Sequence, residues 1–158
     1  MFFSLPGLSV NPFSGNSFVK VKSKTILIVE DNPDERQLLE ALFSNINLDV
    51  YLQFAANGEE AVNYLSGLKP YQEPLSIPAL ILTDMRMPFR DGISLLAWIR
   101  LQPELKGIPV IVMSSTGDIA ERVRAEKLGV SYYFVKPVDL NKLMFLVKAT
   151  LVYLQEDK

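Results

Sequence analysis

Residues 79–92 read A-L-I-L-T-D-M-R-M-P-F-R-D-G. The apolar run at 79–83 has the length of a buried strand, and it delivers Asp84 to a turn that Pro88 and Gly92 force open. In open α/β sheets the chemistry collects beyond the carboxyl ends of the strands, so a carboxylate leaving such a strand is placed to act as a nucleophile or a ligand. Taken alone, an Asp after a strand is more often a helix cap or a turn former. Its neighbours in the chain decide between these readings.

Outward from that stretch, short β-branched runs alternate with amphipathic helical ones. Strand one is 25–29, followed by Glu30 and Asp31. Asn32 then caps a helix with Pro33 at its first position and Asp34 and Glu35 in its first turn. Strand two is 50–54, and Asn57-Gly58 opens a helix to about residue 68 with Ala61, Val62 and Leu65 inward. A ten-residue loop, 69–78, carries prolines at 70, 74 and 78 and exceeds the usual length of about four to six. The third helix is 93–101, with Trp98 half buried. Strand four, 109–113, ends at Ser114, Ser115 and Thr116; a helix over 119–128 stops at Gly129. Strand five, 132–135, ends at Lys136-Pro137. Asp139 caps the last helix, whose inner stripe is Leu140, Leu143, Met144, Val147, Leu151 and Leu154. Five strands strictly alternating with five helices predict an α/β fold: a doubly wound, five-stranded parallel sheet with helices on both faces and right-handed crossovers.

With 158 residues, 49% of them hydrophobic, the chain has material for one core and, on this reading, no room for a second output domain. Residues 1–23 carry four phenylalanines among Ser, Gly, Asn and Pro without a sustained period and read as a poorly ordered arm, leaving 24–158 as the domain. The arm lacks the basic start and unbroken apolar core of a secretory signal, and no apolar run approaches the roughly 20 residues of a membrane span. A net charge of -2 and a pI near 5.2, without a long basic run, argue against nucleic acid as a partner. Cysteine and histidine are absent. Disulfides, zinc-thiolate sites, thiol chemistry, His-based acid-base catalysis and a self-supplied phosphohistidine are thereby excluded. The absence of cysteine fits a reducing, cytoplasmic setting.

The ends of strands one, three, four and five carry Glu30 and Asp31, Asp84, Ser114, and Lys136. If the strand order is 2-1-3-4-5, these strands are consecutive neighbours and the groups converge at the switch point. Carboxylates about 4 Å apart repel by roughly 4 kcal/mol per pair at an effective dielectric near 20. The cluster wants a hard cation, and Mg2+ suits oxygen ligands of this kind. Together the groups make sense as a machine for phosphoryl transfer to Asp84, a reaction that needs positioning and charge neutralisation more than acid-base work.

On V-E-D at 29–31, D-M-R-M-P-F-R-D-G at 84–92, P-V-I-V-M-S-S at 109–115 and Y-F-V-K-P at 133–137, the chain resembles a response regulator receiver domain of two-component signalling, over residues 24–154. The resemblance implies a flavodoxin-like fold and a phosphorylation-activated switch that is not a conventional enzyme. It implies Asp84 as phosphoacceptor, Asp31 as the principal Mg2+ carboxylate with Glu30 assisting, and Arg86 as a ligand through its backbone carbonyl. Ser114 and Lys136 would contact the phosphoryl group, and Tyr133 would be the rotating aromatic that moves into space vacated by Ser114. The Lys136–Pro137 bond would be cis. The partners implied are a sensor histidine kinase or phosphotransfer protein and a downstream protein target. The proline-rich loop and the missing output domain are similar to stand-alone regulators that partner phytochrome kinases.

Two other functions stay open on the residues: a degenerate receiver that docks without phosphorylation, and a phosphatase with an aspartate nucleophile. Dehalogenase-type phosphatases place a second Asp two residues after the first, where this chain has Arg86. A flavin phosphate would be repelled by E-D-N-P-D-E at 30–35, and no P-loop is present. Arg86 replaces the small polar residue often found in the family; with Thr116 on the other side, it can pair with Glu30 or the phosphoryl oxygens and lengthen the life of the acyl phosphate. Phe145, Ala149 and Val152 form a second apolar side of the last helix, and with Tyr132 and Phe134 of strand five they predict a homodimer, unless the N-terminal arm covers them.

Overall fold

The computed structural model describes residues 2–5, 7–8, 24–47, 49–67 and 77–156. Five parallel strands, β1 (Lys24–Val29), β2 (Val50–Ala55), β3 (Leu80–Asp84), β4 (Val110–Ser114) and β5 (Tyr132–Val135), form one sheet in the order β2-β1-β3-β4-β5. This is the 2-1-3-4-5 order on which the convergence of the strand-end groups depends. The helices are α1 (Pro33–Ser44), α2 (Gly58–Leu65), α3 (Gly92–Leu101), α4 (Ile119–Lys127) and α5 (Leu140–Glu156). Phe2–Leu5 and Gly7–Leu8 pair as a separate two-stranded sheet. The rest of the 1–23 arm, and the 69–78 loop up to residue 76, lie outside the described residues. Among the described residues, no helix is long and apolar enough to cross a membrane.

The strand sequences are apolar without alternation because both faces of the sheet are covered. Successive side chains point to opposite faces, which divides the core in two. Leu27, Val29, Ile81 and Val112 pack with Ala61, Tyr64, Leu95, Leu96, Ile99 and Ala125 of α2, α3 and α4. Ile26, Ile28, Leu80, Leu82 and Ile111 pack with Leu39, Phe43, Leu143, Val147 and Leu151 of α1 and α5. Trp98 sits half-buried against the first cluster.

The helix starts follow from capping chemistry. Asn32 Oδ1 accepts from the Asp34 N–H (2.8 Å) and the Glu35 N–H (3.2 Å), Asn57 Oδ1 from the Glu60 N–H (2.9 Å), and Asp139 Oδ1 from the Lys142 N–H (3.1 Å). Several boundaries differ from the sequence reading. α2 ends at Leu65 rather than near residue 68, because Gly67 turns out of the helix at φ 73°, a conformation that favours glycine. Tyr64 is buried beside Ala61 on the helix's inner face, whereas Val62 and Leu65 are only partly buried. β3 and β4 also run one residue further than expected, since the ladder pairs Asp84 with Met113 and the Met85 N–H still donates to the Met113 carbonyl (2.9 Å). Asp84 and Ser114 are therefore last residues of strands, held by sheet hydrogen bonds, instead of first residues of loops.

The α5 surface is smaller than the sequence suggests. Phe134 is only 5% exposed and belongs to the core, while Tyr132 is half-buried under the Lys142 ammonium, 4.4 Å from its ring centroid. Alternation within β5 explains this, since Phe134 points into the α1/α5 side of the sheet. On α5 itself, Phe145 is 69% exposed and Ala149 and Val152 are also exposed.

Candidate functional site

The carboxyl edge of β1, β3, β4 and β5 brings together the residues expected there. Carboxylate oxygens of Glu30, Asp31 and Asp84 lie within 4.8 Å of one another; Glu30 and Asp84 are buried and Asp31 is exposed. Lys136 Nζ reaches into the cluster from β5, 3.2 Å from Asp84 Oδ1 and 3.6 Å from Glu30 Oε1. It also donates to Glu35 Oε1. Glu35 serves the helix N-terminus in the sequence reading, and the fold makes it the closest anion to the site lysine. The Lys136–Pro137 peptide is cis, and the Lys136 N–H donates to the Ser114 carbonyl (2.7 Å), joining the two strand ends.

The Asp84 turn is tight. The Met85 N–H is shared with Asp84 Oδ1 (2.9 Å), the Gly92 N–H donates to the Met85 carbonyl (2.8 Å), and Phe89 closes the turn at φ 68°. A Cβ on Gly92 would stand 2.7 Å from the Asp84 carbonyl oxygen and 3.0 Å from Met85 Cα. Backbone rather than a flexible side chain would have to move. Gly92→Ala is therefore expected to cost about 1–3 kcal/mol of stability and to displace Asp84. Urea denaturation checks the cost, and an unchanged midpoint refutes it.

The electrostatics are those of an overcharged pocket. Burial and then the Asp84 charge push Glu30 up to about 8, against the Asn32 N–H and Lys136. Burial also raises Asp84, although Lys136 pulls the other way. Burial alone would depress Lys136, but Glu35, Asp84 and Glu30 outweigh it and hold the ammonium well above its ordinary value. Glu30 Oε2 accepts from the Asn32 N–H (3.2 Å), whereas Oε1 is buried without a hydrogen-bond donor. Its distance of 3.6 Å from Lys136 Nζ gives Coulomb attraction without a hydrogen bond. A buried, unsatisfied carboxylate oxygen facing two further carboxylates fits a divalent cation with oxygen ligands.

On the β4 side, the arrangement departs from expectation. Ser114 Oγ donates to Glu121 Oε1 (2.8 Å) and accepts from the Thr116 N–H (3.2 Å). Tyr133 Oη donates to the same Glu121 oxygen at 2.6 Å, and Arg86 Nη2 lies 3.6 Å from Glu121 Oε2. Arg86 thus pairs across to α4, where the sequence reading offered Glu30 or the phosphoryl oxygens. Tyr133 is 5% exposed, with the Arg122 guanidinium 5.6 Å from its ring centroid. The aromatic lies inward in this structure. Glu121 itself sits in I-A-E-R-V-R-A-E-K, where nothing separates it from Glu126 as a solvated helix charge, yet it is buried at 6% exposure.

A carboxylate held beside an ammonium, with an acidic cation site on one flank and a hydroxyl on the other, has the parts of a phosphoryl acceptor. Residues 26–148 match the family model of the response regulator receiver domain. The chain is 38% identical over 129 residues to the regulator of RpoS of Escherichia coli (strain K12), covering 81% of this chain and 35% of that protein. Among solved structures it is similar to the phosphorylated cyanobacterial phytochrome response regulator RcpA, with 33% identity and a TM-score of 0.71 over 81% of this chain and 91% of that one. It is similar also to the Mn2+-bound form of response regulator Rcp1, with 30% identity and a TM-score of 0.71 over 80% and 90% of the two chains. Of the first curated relatives it matches, the chain spans 35% to 50% of the length.

Proposed function

The chain belongs to the response regulator receiver domain family, and from that premise we propose that it is a phosphorylation-activated signalling switch with Asp84 as its phosphoacceptor. The observation that carries this reading is the Asp84 carboxylate 3.2 Å from Lys136 Nζ, beside a Glu30 oxygen that lacks a donor. An Asp84 oxygen attacks the phosphorus of a phosphohistidine on a sensor histidine kinase or phosphotransfer protein. The P–N bond breaks, its electron pair leaves with the imidazole nitrogen, and an acyl phosphate remains on Asp84. Lys136 orients the carboxylate and faces the negative charge of the phosphoryl group. Glu30, Asp31, Asp84 and the Arg86 carbonyl would hold Mg2+, which supplies neutralising charge at the phosphoryl oxygens. Ser114 gives its hydroxyl to a phosphoryl oxygen.

The chain's covalent chemistry is performed on itself, so it is a switch rather than a conventional enzyme. Its likeness to phytochrome response regulators supports a kinase partner of the phytochrome class, a downstream protein target, and the cytoplasm as the place of work. Incubation with acetyl phosphate or phosphoramidate and Mg2+ tests the reading: mass spectrometry should find one added phosphoryl group, and none when the metal is chelated before the donor is added. A chain that stays unlabelled, or labels equally without divalent metal, overturns it.

Two finer features belong to the same reading. Arg86, with Thr116 opposite, crowds the path of water to the acyl phosphate, and Arg86→Asn is expected to hasten dephosphorylation several-fold, about 1 kcal/mol in barrier. An equal or slower rate with metal affinity intact leaves the side chain without that role. The exposed Phe145, Ala149 and Val152 of α5 support self-association through that helix. Sedimentation of the full chain decides this; a strict monomer with and without beryllofluoride rejects it.

A further inference from the structure

A serine hydroxyl has one hydrogen to donate, and in this fold Ser114 spends it on Glu121. The 2.8 Å bond to Glu121 Oε1 is buried, and the Thr116 N–H occupies the hydroxyl's acceptor side at 3.2 Å. The one hydrogen of Ser114 is therefore committed without a phosphoryl group. Glu121 is equally committed: Oε1 also accepts from Tyr133 Oη at 2.6 Å, and Oε2 faces Arg86 Nη2 at 3.6 Å. One carboxylate on the first turn of α4 collects groups from β4, from β5 and from the phosphoacceptor turn. Burial of Tyr133, and after it the bond to Glu121, raises the tyrosine hydroxyl above its ordinary value, so it stays a neutral donor to that oxygen.

We propose that Glu121 is a positioning residue that withholds the Ser114 hydroxyl from the phosphoryl group, so that phosphorylation of Asp84 must exchange one anionic acceptor of that hydrogen for another. This rests on the reading of Asp84 as phosphoacceptor and adds a competitor to it. Both acceptors are anions and only one hydrogen is available, so occupancy of the two states excludes itself. In the phosphorylated chain Glu121 keeps Tyr133 and Arg86 and loses Ser114. The first turn of α4, which carries exposed Ile119, is then released from β4 while remaining tied to β5. A stronger acceptor at position 121 raises the threshold for activation, and a missing one lowers it.

The test is the affinity of the full chain for beryllofluoride with Mg2+, read from the amide resonances of Ser114 and Tyr133, in wild type, Glu121→Gln and Glu121→Ala. Glutamine keeps an uncharged acceptor for the two hydroxyls, whereas alanine removes it. Affinity is expected to rise about two- to fourfold in the glutamine variant and about tenfold in the alanine variant, or 1.4 kcal/mol for the latter. On a Ser114→Ala background the further substitution Glu121→Ala should change nothing, because the competition has lost its object; a residue that merely supports packing would still alter affinity there. If Glu121→Ala disturbs the fold, the glutamine variant alone carries the decision. Wild-type binding with no gain in either variant, or a gain that persists without Ser114, overturns the role of Glu121. A wild-type chain that binds no beryllofluoride overturns the phosphoacceptor reading itself.

Discussion

Asp84→Asn is expected to abolish phosphoryl labelling completely while leaving the fold at least as stable as wild type. The amide is nearly isosteric but offers no anionic oxygen to attack phosphorus, and no other carboxylate of the cluster is placed to substitute for it. Glu30 has its second oxygen tied to the Asn32 N–H, and Asp31 lies exposed at the rim. Stability should not fall, because burial raises the Asp84 carboxyl and the fold therefore disfavours its charge. A carboxyl raised in this way contributes stability that is complete in acid, below its ordinary value, and lost as the pH climbs through its folded value. The metal-free wild type thus has little to lose at alkaline pH when the charge is removed. Lys136 keeps Glu35 and Glu30 as partners in the variant. Mass spectrometry after acetyl phosphate treatment, beside a thermal melt at pH 8 in a chelator, checks both halves. Labelling at wild-type level would move the acceptor elsewhere, and a collapsed melt would show that Asp84 is needed for folding.

Arg100→Ala is expected to be the most destabilising of these surface-reaching substitutions, by about 3 kcal/mol. The guanidinium at the end of α3 donates from Nε to the Leu128 carbonyl (2.8 Å), from Nη1 to the Lys106 and Ile108 carbonyls (2.9 Å each), and from Nη2 to the Gly129 carbonyl (3.1 Å). It ties the C-terminal end of α4 and the 102–109 connection to α3. Burial lowers its pKa, so the charge is carried at some cost, which the four carbonyls offset. A hydrogen bond to a charged group contributes about 1.5–3 kcal/mol, but two of these four have an exposed partner where water can replace the donor. The discounted total is about 3 kcal/mol, or roughly 6–12 °C in melting temperature for a domain of this size. Lysine, a single ammonium without the planar fork, should recover less than half. Denaturant titration measures both, and a loss below about 1 kcal/mol for the alanine variant would show that the bonds are replaced by water.

Local patterns carried the architecture. Unbroken apolar runs of four to six residues between amphipathic segments can be buried only in a sheet covered on both sides, and Asn32, Asn57 and Asp139 cap helices through contacts within three residues of themselves. The same alternation, given that strand order, places Glu30, Asp31, Asp84, Ser114 and Lys136 on one edge. Those relations depend on neighbours along the chain or on the rule that parallel strands share a direction, and they are legible in order of residues.

What tertiary structure decided is which charge meets which. Lys136 finds Glu35, 101 residues away. Arg86 turns to Glu121 instead of Glu30, and Arg100 gathers carbonyls from two connections. In the linear pattern Glu35 was a helix-end charge, Lys136 and Arg86 were strand-end groups with several anions in reach, and nothing singled out Arg100. Glu121 looks no different from Glu126 until α4 packs beside β5 and brings Tyr133 and Ser114 to the same oxygen, and Phe134 reads as surface until the sheet turns it inward. Long polar side chains have several partners within reach of any sequence position. The packing of helix against sheet selects among them, because only the buried choice must satisfy every donor and acceptor it removes from water.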